Sequence, residues 1–110
     1  MAIVNQQLTT TQLDMLTVPT GKAYAITNIL VCNNGVAGAS FDLHLIPQSS
    51  SLSNAITRVI NNLELPAGET FTFDNEKIVL DVGDKIAFVA QPDLGGGLTN
   101  LAATVSYLEV

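Results

Sequence analysis

The residues Ala39–Ile46, which read ASFDLHLI, decide the fold class of this chain. Apolar and polar side chains alternate along them, which is the period of a β-strand with one buried face. Phe41, Leu43 and Leu45 point to one side, and Ser40, Asp42 and His44 point to the other. The pattern predicts a half-buried strand whose polar face is solvated.

Seven further segments have strand character and are separated by turn residues. They cover residues 13–18, 22–32, 54–62, 69–73, 77–80, 85–90 and 98–110. Residues 54–62 also fit one turn of helix followed by a strand, although we favour a strand. With about eight strands and no convincing helix, the sequence predicts an all-β fold, a compact antiparallel β-sandwich similar to a jelly roll.

Several local patterns give more detailed expectations. Pro19-x-Gly21 and Pro66-x-Gly68 predict tight turns, the first a type I turn with proline second and glycine fourth. In the long strand over residues 22–32, strict alternation assigns two faces. Tyr24, Ile26, Asn28, Leu30 and Cys32 fall on one face, and Ala23, Ala25, Thr27, Ile29 and Val31 fall on the other. The second half is apolar on both faces, which predicts that both are covered.

The chain of 110 residues has the length of one domain. Residues 1–12 are polar, rich in Gln and Thr, and show no clear period, so we expect an extended N-terminal arm that is ordered only by contact with something else. Residues 13–110 are expected to form the single sandwich domain.

Composition excludes several classes of protein. Apolar residues make up 47% and charged residues 13%, which is too apolar for a disordered chain. The longest apolar run, residues 86–90, is far shorter than the ~20 residues of a spanning helix, so we expect no membrane segment and no secretory signal. A net charge of −6 with scattered Lys and Arg argues against direct nucleic-acid binding. The single cysteine, Cys32, cannot form an internal disulfide, suits a reducing compartment, and is expected to be a buried, inert thiol.

No constellation in the sequence supports catalysis or cofactor binding. Ser40, Asp42 and His44 share a strand face, but their parallel projection keeps the serine and the imidazole apart. The two carboxylates of residues 81–84 are those of a tight turn rather than of a calcium loop. One His and one Cys are too few for zinc, and the glycines at 95–97 lack the spacing of a phosphate loop. We therefore expect no enzyme and no catalytic, cofactor or metal site.

Small apolar residues exceed what one small core needs. Ala23, Ala25, Ala37, Ala39, Ala102 and Ala103 lie among β-branched neighbours. This surplus predicts that identical subunits cover part of the surface, so we expect a homo-oligomer.

The order of these motifs resembles small structural proteins of tailed-bacteriophage virions. The succession runs LTVPTGK (residues 16–22), ILVCNNG (29–35), LPAGET (65–70) and IVLDVGDKI (78–86), and the resemblance covers roughly residues 16 to 90. It implies a non-enzymatic β-sandwich located in the virion and assembled in the host cytoplasm. Similar domains serve as capsid cement (decoration) proteins, often trimeric on the shell, and as tail or fibre components.

Capsid decoration is the favoured role, because the chain is one short domain without a fibre shaft. The expected partners are copies of the chain, with a trimer favoured, and the major capsid protein or other virion proteins. Contacts are assigned to residues 1–12, 47–53 and 91–99, since loops and termini present variable surface.

Two alternatives remain open: a tail, baseplate or fibre-attachment module, and a carbohydrate-binding module. The second needs exposed aromatic rings, for which only Tyr24 and Tyr107 are available, because the four phenylalanines are expected in the core.

Overall fold

Two antiparallel β-sheets stacked face to face make up the protein in a computed structural model that describes residues 2–73, 78–91 and 100–110. The described residues form nine strands. These are β1 (Ala2–Gln7), β2 (Leu13–Thr17), β3 (Tyr24–Asn33), β4 (Ala39–Ile46), β5 (Arg58–Leu65), β6 (Thr70–Phe73), β7 (Ile78–Leu80), β8 (Lys85–Ala90) and β9 (Leu101–Glu109). Within the described residues, no helix is long and apolar enough to span a membrane.

The strand order is that of a jelly roll. Sheet A has the order β1-β9-β3-β6, with β7 also paired to β3, and sheet B has the order β2-β8-β4-β5. The pairs are nested along the chain, because β1 pairs with β9, β2 with β8, β3 with β6 and β7, and β4 with β5. This arrangement confirms the predicted all-β antiparallel sandwich and its resemblance to a jelly roll.

The N-terminal residues differ from the expectation of an arm. Ala2–Gln7 form β1, an edge strand of sheet A in regular register with β9. Leu8 follows it into the core, and its amide donates to the carbonyl of Leu101 at 2.8 Å. The prediction of residues ordered only by contact with something else is therefore wrong for this segment. Ala2, Val4 and Leu8 occupy the inward face with the period of a strand, but polar Gln6 lies on the same face and interrupts the apolar pattern in the sequence.

The inner faces of both sheets supply one apolar core. Phe41 and Phe88 of sheet B are fully buried, with ring centroids 6.1 Å apart. Phe71 of sheet A approaches Phe41 at 5.9 Å across the sandwich, and Phe73 packs against the same cluster. The predicted inward face of β4 and the predicted core phenylalanines are confirmed.

A β-bulge in β3 overturns part of its predicted face assignment. Ile26 lies opposite Tyr107 and Asn28 lies opposite Ser106, so Thr27 is an extra residue. Beyond it the faces exchange, and Ile29 and Val31 are fully buried. Leu30 and Cys32 point outward and are half-buried, so the second half of the strand is covered on one face only.

The turn at Pro19 begins one residue later than predicted and spans residues 19–22. The amide of Lys22 donates to the carbonyl of Pro19, which puts Gly21 third in the turn at φ 82°. That positive φ is what the third position of a type II turn requires, so a type I turn ending at Gly21 is wrong. The Pro66–Glu69 turn repeats the solution.

The ambiguous segment at 54–62 resolves as a turn followed by a strand. Residues 54–57 form the turn, in which the amide of Thr57 donates to the carbonyl of Ser53, and β5 begins at Arg58. The favoured interpretation of one bent strand is therefore wrong for the first four residues. The turn expected at Asn75-Glu76 lies outside the described residues.

The loops gather at two ends of the sandwich. Loops 18–23, 47–57 and 81–84 form what we name the terminal end, where Gly83 N donates to Val18 O and Gln48 N donates to Asp84 Oδ1. The start of β1 and the end of β9 lie there too, because Ala2 lies opposite Tyr107. Loops 8–12, 34–38 and 66–69 form the far end, where Gly68 N donates to Asn33 O.

Candidate functional site

The polar face of β4 is the only place where the sequence brings serine, aspartate and histidine together, and it is not solvated. Asp42 is 8% exposed and His44 is fully buried. Two buried apolar residues beside them, Ile46 and Ala87, lie apart from the main core cluster. The prediction of a solvated face is wrong because Thr57 of the 53–57 turn lies 2.8 Å from His44, and the Arg58 side chain of β5 lies 3.7 Å from Asp42.

His44 is a buried neutral side chain. Its Nδ1 lies 2.8 Å from Thr57 Oγ1. The Thr57 hydroxyl gives its single proton to the carbonyl of Ser53, so the imidazole must donate from Nδ1. Nε2 is buried and has no hydrogen-bond partner in the part of the chain that the structure describes. Burial lowers the pKa of His44, an effect that nearby Asp42 partly offsets.

The serine on this face does not form a nucleophilic triad. Ser40 Oγ donates to Asn62 Oδ1 at 2.8 Å, and Asp42 is bonded to a backbone amide rather than to the imidazole. A serine is activated only when its hydroxyl reaches a base. In this arrangement the three side chains have separate partners, and each of these bonds holds β5 or the 53–57 turn in place.

Asp42 secures a β-bulge in the edge strand β5. Its Oδ1 accepts a hydrogen bond from the amide of Asn62 at 2.6 Å, and Asn62 adopts a positive φ of 53°. Its Oδ2 lies 3.7 Å from Arg58 Nη1. The carboxylate thus bridges both sides of the irregular part of β5, where the register with β4 shifts twice.

The sequence does not predict that Thr57, Arg58 and Asn62 contact the polar residues of β4. A period-two pattern cannot place them, because each bulge adds a residue and exchanges the faces. The one local signal is the Asn61-Asn62 pair, since asparagine tolerates positive φ better than most residues do.

The carboxylates of residues 81–84 hold a turn, as predicted. Asp84 Oδ1 accepts from the amide of Gln48 at 2.8 Å, and Oδ2 accepts from the amide of Asp81 at 3.0 Å. Asp81 Oδ1 in turn accepts from the amide of Val82. Within the described residues, no three His, Cys, Asp or Glu side chains form a group that could hold a metal ion. The glycines at 95–97 lie outside those residues.

Cys32 differs from the expected buried thiol. It lies on the outer face of sheet A, is half-buried, and its Sγ donates to Asn34 Oδ1 at 3.4 Å. The bulge at Thr27 is the reason, because it turns this half of β3 over.

The three predicted contact segments do not form one patch. Residues 47–53 lie at the terminal end, whereas residues 8–12 and Gln91 lie at the far end, where Gln91 N donates to Ser40 O. Residues 2–7 run along the edge of sheet A between the two ends. Residues 92–99 are outside the described part of the chain.

Among the described residues, the outer face of sheet A carries no charged side chain, and we call it the uncharged face. The register with β9 and β3 assigns its members. They are Ile3, Asn5, Gln7, Ala25, Asn28, Leu30, Cys32, Thr70, Thr72, Val79, Ala102, Thr104, Ser106 and Leu108. Three of these, Ile3, Val79 and Leu108, are large apolar residues exposed to solvent. Sheet B differs, since its outer face carries the Lys85–Asp14 and Arg58–Asp42 pairs.

The aromatic residues form no exposed platform. Tyr24 and Tyr107 face the interior from β3 and β9, with ring centroids 4.5 Å apart. All six aromatic residues of the chain lie in the described part, and none belongs to its exposed residues.

No protein-family model matches the sequence, and no curated protein matches it in sequence.

Proposed function

We propose that this chain is a non-enzymatic structural protein of a tailed-phage virion, and specifically a capsid decoration protein that binds the shell as a homo-oligomer. The observation that carries the proposal is the uncharged face, which presents exposed Ile3, Val79 and Leu108 on a chain with a net charge of −6. An exposed apolar surface of this kind is typical of faces that contact other proteins.

Two further features support the proposal. The jelly roll is a fold that viral capsids use widely, although a fold alone does not assign a function. The reactive side chains of β4 are engaged in structural hydrogen bonds, as Ser40 and Asp42 both bond to Asn62. The motifs that resemble small virion proteins agree with this role.

The copy number in purified particles tests the role directly. Quantitative mass spectrometry of virions from the phage that encodes the chain is expected to give hundreds of copies, because a decoration protein covers the repeated lattice of the shell. A dozen or so copies would instead support the tail, baseplate or fibre-attachment module. Absence from particles would contradict both roles.

A pair of matched variants tests the surface. Val79 on the uncharged face is 67% exposed, and Val59 on β5 of sheet B is 52% exposed. Val79→Asp is expected to reduce the number of copies bound to undecorated shells, because it places a charge in the contact. Val59→Asp is the control and should bind like the unaltered chain. Equal binding by both variants would exclude the uncharged face from the contact.

A carbohydrate-binding role has less support. Sugar platforms use exposed aromatic rings, and the two tyrosines available for one pack against each other inside the sandwich.

A further inference from the structure

The jelly roll has four sheet edges, and three of them are protected against pairing with another strand. The edge strand β2 contains a register shift and carries Asp14, which is paired with Lys85. The edge strand β5 contains two register shifts. The edge of sheet A opposite β1 is formed by two short strands, β6 and β7, which both pair with β3. Bulges, charges and short strands are the devices that block edge-to-edge pairing.

The edge strand β1 has none of these devices. Its sequence AIVNQQ contains no charge and no proline, its register with β9 is regular over all six residues, and it is almost wholly exposed. Such an edge is a template for another strand.

The backbone groups that point away from β9 can be identified from one hydrogen bond. Leu8 N donates to Leu101 O, so Leu8 forms a hydrogen-bonded pair with β9. Because such pairs alternate along an antiparallel ladder, Val4 and Gln6 also face β9. The amides and carbonyls of Ile3 and Asn5 therefore point to the open edge, beside which no strand lies in the described residues.

We propose that β1 pairs antiparallel with β1 of a second copy of this chain, about a two-fold axis at Val4. Inward and outward side chains must match across the pair, and centring on Val4 achieves this by placing Ile3 opposite Asn5 of the second copy. Ile3 and Asn5 then exchange both backbone hydrogen bonds, and the two-fold axis repeats the exchange. Sheet A and its uncharged face continue across both copies.

The absence of charge at β1 suits pairing with a second copy of this chain. Each chain has a net charge of −6, so two copies repel each other as whole molecules, and an uncharged contact adds no close like-charge pair to that repulsion. Self-pairing through β1 opposes no like charges, since neither the strand nor the adjoining uncharged face carries any. Because β1 has no carboxylate, it also has no charge with which to bind a basic segment of a different protein.

Amide hydrogen exchange tests the contact without any substitution. Val4 and Gln6 amides are protected by β9 at every concentration, whereas Ile3 and Asn5 amides should gain protection as concentration rises. We expect their exchange rates to fall by about tenfold or more once the dimer is populated. A dimer in which Ile3 and Asn5 still exchange like open amides would overturn the proposal, and so would a monomer at millimolar concentration.

Asn5→Pro tests the same bonds by sedimentation. Proline removes the outward amide of residue 5 without removing a donor to β9, and edge strands tolerate it there. Asn5→Ala is the matched control, because it keeps the amide. We expect Asn5→Pro to weaken dimerisation by roughly tenfold or more, since symmetry deletes the bond twice. Asn5→Ala should dimerise like the unaltered chain, and equal dimerisation by both variants would overturn the proposal.

Folding of the proline variant is checked by the protection of Val4 and Gln6 amides. If they lose protection, a cysteine at the axis replaces this test: Val4→Cys in a Cys32→Ser background should form an intermolecular disulfide in the dimer. A dimer that does not cross-link there would also overturn the proposal.

The dimer and the virion role can fail separately. A chain that binds shells but shows no pairing through β1 refutes the dimer alone. A chain that dimerises through β1 but is absent from particles refutes the virion role alone.

Discussion

Asp42 shows how one buried carboxylate can organise an irregular strand. It accepts from the amide of Asn62 and neighbours Arg58 on the other side of the bulges. A hydrogen bond to a buried charged group is worth more than a neutral one, because the group cannot turn to water instead. The position of β5 therefore depends on a side chain that alternation alone would place in solvent.

Replacing Asp42 with asparagine should destabilise the fold. Asp42→Asn removes the charge that faces Arg58 and weakens the bond from Asn62, so we expect the free energy of unfolding to fall by about 1–3 kcal/mol. Urea denaturation measures this. The control is Asp14→Asn, whose partner Lys85 lies 3.3 Å away at the surface, and the expected loss is under about 1 kcal/mol. Equal losses would contradict the structural role of Asp42.

His44 should make stability depend on pH. Burial lowers its pKa in the folded chain below the ordinary value near 6.5, so the unfolded chain binds more protons as pH falls. Its contribution is present above the unfolded-state pKa and is lost progressively as pH falls from that pKa towards the lower folded-state pKa. His44 is the only histidine, and urea midpoints at pH 7 and pH 5.5 measure the change in stability over this interval.

The matched variant is His44→Gln, which keeps a polar group near Thr57 but does not titrate. Its urea midpoint should change less between the two pH values than that of the unaltered chain. An identical pH dependence in both proteins would show that His44 is not the titrating group.

At the scale of elements, the turn at residues 81–84 is hydrogen-bonded to the other two loops of the terminal end. Gly83 adopts a φ of 82°, its amide donates to Val18 O, and the Asp84 side chain accepts from Gln48. The backbone of Gln48 is therefore fixed beside the glycine. A Cβ at residue 83 would lie 2.6 Å from Gln48 Cγ.

Gly83→Ala should therefore cost more than the same change elsewhere. Gly21 has the same φ of 82° but open space around it, so Gly21→Ala bears only the left-handed backbone cost of roughly 1–2 kcal/mol. Gly83→Ala adds displacement of Gln48. In thermal unfolding, Gly83→Ala should have a lower melting temperature than Gly21→Ala. Equal melting temperatures would show that Gln48 moves aside at no cost.

How far the sequence predicts the elements depends on whether the period stays unbroken. The strand over residues 39–46 keeps strict alternation, and its inward face was predicted correctly. In β3 the extra residue Thr27 exchanges the faces, and in β5 two register shifts do so. The local sequence does not indicate these β-bulges, because they are set by pairing with strands that are distant in the chain.

The polar site of β4 could not be read from the sequence for a related reason. Burial of His44 requires Thr57, which a turn brings back over the sheet. Sequence patterns report which face a residue occupies, but they do not report what later covers that face. The uncharged face, in contrast, is a property of pairing register and appears only when the five strands of sheet A are aligned.

At the scale of the whole molecule, β1 is part of the folded domain and its removal should weaken the sandwich. Deleting residues 2–7 uncovers the edge of β9 and removes the inward side chain of Val4, which packs against the core. We expect a loss of about 2 kcal/mol or more in the free energy of unfolding. Thermal unfolding measures it, with Ile3→Thr on the outer face as a control that changes stability little. An unchanged melting temperature would restore the interpretation of an independent arm.

The pairing of Ala2 with Tyr107 brings the start of β1 and the end of β9 together at one pole of the molecule. A linker of roughly 4–6 residues could join them and turn β9 and β1 into an ordinary hairpin. A circularly permuted chain opened instead in the 34–38 loop would begin and end at the opposite pole. Passenger peptides fused before β1 or at the ends of the permuted chain would then be displayed from opposite poles of the same scaffold.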